Sequence, residues 1–411
     1  RFTRLQARST LTPETEAGFR AEIETISKEY EQIEDTLRRT SSRYTALSQP
    51  KPLTVSEIQS RIVAPDTVLL EYFLGEGRSF VWVVTPDSLT TVQLPKKAEI
   101  ERLARQAYDL MAETGDTNRT IRLDSIQSEQ TQVALNEALS KLSRIILEPV
   151  ASHLGNKRLL IVPDGVLHFI PFAALPVGNA QSKPEPLLTS HELVVLPSAS
   201  ALDVLRTETL NRPKPTKELA VVADPVFEPT DGRLPKQVAL SATALSTDQK
   251  LDRNRQLRLE KTKSSIQEVG IADEANQIPR LPGTRREAES ILKLVPKTKA
   301  AHAFDFTASR SFFDRPDLDQ FRLLHIATHG FINSERPEFS GLIFSMFDQQ
   351  GKTQNGFLLL PDVFNLKLNT DLVTLSACQS GLGKEIKGEG MVGLTQGFLY
   401  AGTSRVLVSL W

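Results

Sequence analysis

The chain has 411 residues, with 49 Lys and Arg against 50 Asp and Glu, so its formal charge is −1. That length exceeds one ordinary core and predicts two or three domains. A near-neutral balance argues against a nucleic-acid binder, and no run of 18 apolar residues is present to span a membrane. The composition, 40% hydrophobic and 24% charged, is that of a soluble globular protein. The sequence begins at Arg1 without Met or a leader pattern and stops at Trp411 directly after an apolar run, which predicts a cytoplasmic fragment of a longer protein. Cys378 is the single cysteine, so it forms no internal disulfide and no all-thiolate zinc site.

Residues 12–40 read as one amphipathic helix. Thr12 suits the N-cap, Pro13 the first turn, and Phe19, Ile23, Ile26, Tyr30, Ile33 and Leu37 form one apolar stripe. This helical segment, 1–47, is set off by the breaker Ser48-Gln49-Pro50-Lys51-Pro52. Strands are predicted at 68–73, 80–84 and 90–94, with Gly75-Glu76-Gly77 turning the first two into an antiparallel hairpin. Helices follow near 97–113 and 126–148. The apolar runs at 158–162, 193–196 and 219–223 read as buried parallel strands, giving an α/β half over 48–225. Residues 226–280 are polar and lack an apolar period. Lys250, Arg253, Arg255, Arg258, Lys261 and Lys263 are opposed only by Asp252 and Glu260, which reads as a solvated connector or insertion. A second α/β half over 281–411 starts with a helix capped by Thr284 and running to about 293. Strands are expected at 322–328, 341–346, 372–377 and 405–410, with a helix near 391–400.

Two strand ends carry the chemistry. The run 323–327 leads through Thr328 to His329-Gly330, and the run 371–377 leads to Cys378. In a parallel sheet the carboxyl ends of neighbouring strands open into one crevice, so these side chains are candidates to meet there. A free thiol is only a few per cent thiolate at neutral pH, and an imidazole beside it takes its proton. Gly330 and the Cys378 backbone offer N–H groups for a tetrahedral oxyanion. The glycine-rich stretch after Cys378 does not fit a phosphate loop, because Glu385 stands where that loop needs Ser or Thr. Glu385 and Glu389 are acidic candidates for recognising a basic side chain; alternatively Glu389 only sits before a helix N-terminus.

These blocks resemble the His-Gly and Ala-Cys blocks of the caspase-like cysteine peptidases, which include caspases, separases, gingipains and legumains; His329 precedes Cys378 by 49 residues, close to the caspase spacing. The closer resemblance is to the CHAT domain family, caspase-like domains found after tetratricopeptide repeats. It is carried by Arg158–His168 with Pro171–Leu175, by Leu196–Ser200, by Leu281–Glu289, and by the run from Leu323 through Cys378 to Trp411. The resemblance implies an α/β fold of caspase-like sheets flanked by helices, with 48–225 as a pseudo-protease half and 281–411 as the active half. It makes Cys378 the nucleophile and His329 the general base and acid. Ser376-Ala377-Cys378-Gln379-Ser380-Gly381 departs from the caspase Gln-Ala-Cys-x-Gly, so aspartate specificity is not implied.

The expected function is therefore a cysteine endopeptidase acting on a protein substrate, needing no cofactor and no metal, and controlled by an activating protein or by attached repeats. A non-catalytic caspase-like interaction scaffold is the alternative, and a thiol acyltransferase or deamidase using the same dyad is a third reading. His325, four residues before His329, shares its face on a continuous strand, but nothing near it in the sequence completes a zinc set, so it reads as a packed side chain. His168 after Asp164-Gly165 likewise reads as structural.

Overall fold

The apolar runs of the sequence become strands in a computed structural model, which describes residues 51–115, 125–177, 185–210, 212–235, 277–331, 339–376 and 390–409. The chain separates into two compact units, Arg1–Pro52 and Leu53–Trp411. The helix expected at 12–40 belongs to the first and lies outside the described residues.

The second unit is mixed α/β, with sheets flanked by helices. Its first part contains β1 (Thr67–Phe73), β2 (Ser79–Val84), β3 (Leu89–Leu94), α1 (Lys97–Gly115), α2 (Ser125–Ile146), β4 (Arg158–Val162), β5 (Leu193–Val195) and α3 (Ala199–Leu210). The strand order is β3-β2-β1-β4-β5, antiparallel from β3 to β1 and parallel from β1 to β5. Strand alternation buries both faces. Val68, Leu70 and Tyr72 pack with Ile100, Leu103 and Ala107 of α1 and Leu139 and Leu142 of α2. Leu69 points the other way, into a cluster with Ile62, Leu160, Leu196 and Ala199. The Asp164-Gly165 pair is structural: Leu74 N–H donates to Asp164 Oδ2 at 2.7 Å, and Gly165 takes φ +54°, a conformation that favours glycine.

The rest of the chain gives β6 (Lys217–Pro225), α4 (Pro282–Leu292), β7 (Ala300–Asp305), β8 (Phe321–Ala327), β9 (His329–Phe331), β10 (Gly341–Ile343), β11 (Phe357–Leu359), α5 (Leu360–Phe364), β12 (Leu372–Ser376), α6 (Gly390–Ala401) and β13 (Val406–Val408). Five of these strands form an all-parallel sheet of order β13-β12-β8-β6-β7, and β9-β10-β11 form a separate antiparallel ribbon. One face of the parallel sheet carries Ala220, Val222, Leu324, Ile326, Val373 and Leu375 against Leu394 and Phe398 of α6. The other carries Leu219, Val221, Ala223 and Ala327 against Ala288, Ile291 and Leu292 of α4.

Three expectations need correction. The strand at 219–223, assigned to the half 48–225, is part of β6 and pairs with β7 and β8, so it belongs to the second sheet. The ends of the expected connector are packed rather than solvated: Val226, Phe227 and Leu234 are buried, while 236–276, with the basic cluster, lie outside the described residues. Thr284 does not cap α4. It sits inside the first turn, its hydroxyl donating to the Leu281 carbonyl at 2.7 Å and accepting from Asp224 N–H at 3.1 Å. Helix α3 and strands β7, β9 and β11 were not predicted; β9 and β11 have three residues each, too few for an alternation to register. Among the described residues no helix is long and apolar enough to cross a membrane.

Gly402, at the end of α6, adopts φ +127°, and a Cβ there would lie 1.9 Å from the Leu368 carbonyl oxygen. Gly402→Ala is expected to destabilise the fold by at least about 2 kcal/mol through combined strain and overlap. The denaturant midpoint of the variant against the parent measures this; an unchanged midpoint would show that the chain turns differently there.

Candidate active site

The site is built at the carboxyl ends of β6, β8 and β12. Because residues alternate along a strand, His325 of β8 and Ser376 of β12 project to the face covered by α4. Glu287 of α4 meets both. Ser376 Oγ donates to Glu287 Oε2 at 3.0 Å, and Glu287 Oε1 lies 3.2 Å from His325 Nε2, off the direction of a hydrogen bond. The first two turns of α4 thus reach four strand ends, since Thr284 holds Asp224 of β6, Arg285 Nη1 donates to Asp305 of β7 at 3.0 Å, and Glu287 serves β8 and β12. Burial pushes the His325 pKa below its ordinary value, and the Glu287 carboxylate opposes this.

His329 does not share a face with His325. Strand β8 ends at Ala327, and the Thr328 hydroxyl donates to the Ile343 carbonyl, turning the chain into the β9-β10-β11 ribbon. His329 therefore leaves the sheet and packs in an aromatic setting, its ring 5.1 Å from that of Phe227 and only 2% of the residue exposed. Its Nε2 lies 2.7 Å from the Pro279 carbonyl oxygen. A carbonyl only accepts, so Nε2 carries the proton and Nδ1 presents a lone pair. Nδ1 is buried and has no partner among the described residues. Burial lowers the His329 pKa, with the Pro279 hydrogen bond as a smaller opposing effect. The side chain is thus a neutral imidazole with one nitrogen occupied and the other left as a base.

Gly330 is buried beside it, in register with Leu342 of the ribbon. Cys378, Glu385 and Glu389 lie outside the described residues, as does all of 377–389. The strand leading to Cys378 is in place: Ser376 is the register partner of Ala327, each two residues short of Cys378 and His329 respectively. Neighbouring parallel strands therefore lead to both sequence-predicted residues.

Several residues of the site were not picked out from the sequence. Asp224 follows β6's apolar run, has no exposed surface, and takes φ +52°. Arg280 grips its carboxylate with two hydrogen bonds, Nε to Oδ1 at 2.8 Å and Nη2 to Oδ2 at 2.7 Å. Arg233 adds a contact to Oδ1 at 3.2 Å and donates to the Asp224 carbonyl at 2.8 Å. Arg233 also binds Asp231 and Asp305, at 2.6 and 2.7 Å. Its hydrogen bond holds Asp231 below the usual carboxylate range; for Asp305, burial works upward but the hydrogen bonds from Arg233 and Arg285 prevail. A carboxylate at a strand end was the one available signal for Asp224. Nothing local marked Pro279, Arg280 or Phe227.

Fold and site together define a mixed α/β protein of caspase-like type, with a buried histidine poised where parallel strands end. A family model for the CHAT domain matches residues 136–411, and the chain belongs to that family, which is related to the caspase-like peptidases. No curated protein matches the chain.

His325 and His329 of the site, and His168 in the first part of the unit, have folded pKa values below the ordinary 6.5, burial being the largest cause for each. The unfolded chain therefore takes up protons that the folded chain refuses once the pH falls through about 6.5, so stability is full above that value and declines below it. The slope is at most about 1.4 kcal/mol per pH unit for each histidine. Denaturant melts between pH 7.5 and 5 are expected to show this decline, and His329→Gln to reduce its slope; a pH-independent midpoint would contradict it.

Proposed function

We propose that the protein is a cysteine endopeptidase in which Cys378 is the nucleophile and His329 the general base and acid. The observation that carries this reading is the state of His329: Nε2–H is engaged by the Pro279 carbonyl and Nδ1 is a lone pair without a partner among the described residues, on a chain segment that follows β8, the register neighbour of the strand that runs on to Cys378. A base so held accepts the thiol proton without rotating its ring.

In this mechanism the Cys378 proton passes to His329 Nδ1 and the thiolate attacks a peptide carbonyl. The backbone N–H groups of Gly330 and Cys378 receive the oxyanion. The C–N bond then breaks as His329 returns its proton to the departing amine, leaving a thioester. Water, deprotonated by His329, adds to the thioester, and its collapse releases the carboxylate product and restores the thiol. No cofactor takes part. Glu385 and Glu389 would favour a basic side chain in the substrate. The part built on the sheet β1–β5 would serve as the pseudo-protease half, without a dyad of its own, and the part built on the parallel sheet of β6, β7, β8, β12 and β13 as the active half. Control by an activating protein or by tetratricopeptide repeats, a protein substrate and a cytoplasmic setting complete the proposal.

The test is digestion of a diverse peptide library, with cleavage sites read by mass spectrometry. Cys378→Ala is expected to abolish the cuts, and His329→Ala to slow them by about 10²–10⁴-fold, the range for loss of a general base. If no peptide is cut and Cys378 alkylates no faster than a model thiol, the domain is an interaction scaffold instead.

A further inference from the structure

We infer that Arg280, clamped on the buried carboxylate of Asp224, is a positioning residue that holds the Pro279 carbonyl on His329 and thereby keeps Nδ1 free as the basic nitrogen. The catalytic meaning of this clamp rests on the peptidase reading; the clamp itself does not.

Pro279 is held from both sides. Its carbonyl belongs to the peptide that joins it to Arg280, so the orientation of that plane decides whether His329 Nε2 keeps its acceptor. Pro279 and Arg280 are both exposed, and side-chain packing therefore does little to fix them. Polar tethers do. On one side Ile278 N–H donates to Glu228 Oε1 at 2.7 Å. On the other the Arg280 guanidinium makes its two-pronged contact with Asp224 at 2.8 and 2.7 Å, the geometry that fixes direction as well as distance.

Asp224 is a rigid anchor because nothing on it is left to move. Its N–H donates to Thr284 at 3.1 Å, its carbonyl accepts from Arg233 at 2.8 Å, and its carboxylate is shared by Arg233 and Arg280. Its left-handed φ of +52° places the side chain at the strand end, and it keeps no solvent contact. The clamp thus ties the end of β6 to the acceptor of a histidine on β9. Lysine in place of Arg280 would supply charge but not the fork, and a smaller residue would supply neither.

The experiment reads the imidazole directly. Protein labelled with ¹⁵N at histidine should give a slowly exchanging Nε2–H resonance for His329, assigned by its absence in His329→Gln. In Arg280→Ala and Asp224→Asn this proton is expected to exchange with solvent at least tenfold faster or to vanish, with Arg280→Lys intermediate. Arg310→Ala, which breaks the ion pair with Asp362 elsewhere in the fold, should leave it unchanged. Asp224→Asn alters a buried charge and so tests folding as well as the clamp; Arg280→Lys, at an exposed position, keeps the test decisive. A folded Arg280→Ala or Arg280→Lys protein with an unaltered His329 resonance would overturn the inference. The two proposals fail separately: faster exchange in the variants, with a parent protein that cuts no peptide and whose Cys378 alkylates no faster than a model thiol, leaves the clamp standing and removes the peptidase, whereas cleavage with unaltered exchange does the reverse. If both stand, the pH–rate profile of cleavage should shift in Arg280→Lys, a change that a merely structural residue would not produce.

Discussion

A carboxylate without solvent contact must be neutralised, and the arrangement around the site follows from how Asp224 meets that demand. Desolvating such a charge costs several kcal/mol unless cations and N–H donors replace the lost water. Arg233 and Arg280 supply the cations and Thr284 occupies the N–H. Each partner brings a different piece of chain to the end of β6: the stretch after the strand, the stretch before α4, and the first turn of α4 itself. Pro279 reaches His329 because its neighbour Arg280 is held there.

Helix α4 does more than cover the sheet. Its apolar side, Ala288, Ile291 and Leu292, packs on β6 and β8, while Thr284, Arg285 and Glu287 reach polar groups at four strand ends. Strand alternation makes this possible. His325 and Ser376 stand on the same face as Ala223 and Ala327, so one carboxylate from the helix reaches both of them. The strands that lead to His329 and to Cys378 are thereby set against one another by a helix that carries neither residue.

The same alternation explains how His325 and His329 come to differ. Four residues apart on an unbroken strand they would share a face. The turn at Thr328 sends His329 into the ribbon, against Phe227, where burial disfavours its charged form, while His325 stays in the sheet under Glu287. Two histidines close in sequence thus acquire separate surroundings, a carbonyl and an aromatic ring for one and a carboxylate for the other.

Much of the fold was legible from local pattern. Runs such as Val68–Tyr72 and Leu323–Ala327 are strands because alternate apolar side chains bury on opposite faces, and α1 and α2 follow from their helical spacing. His329 and Cys378 stood out because a histidine and the single cysteine each follow such a run, and the family resemblance reinforced the pairing. What the sequence alone determined was therefore the set of elements, their α/β character and two candidate reactive residues. Tertiary structure alone decided that the strand at 217–225 joins the second sheet, that Thr284 tethers Asp224 instead of capping its helix, and that Arg280 grips a carboxylate 56 residues away. The physical reason is range. Periodicity is set by neighbours within a turn or two, whereas the partner of a buried charge is set by the path of the whole chain, and the hydrogen bond that gives His329 its free nitrogen depends on that path.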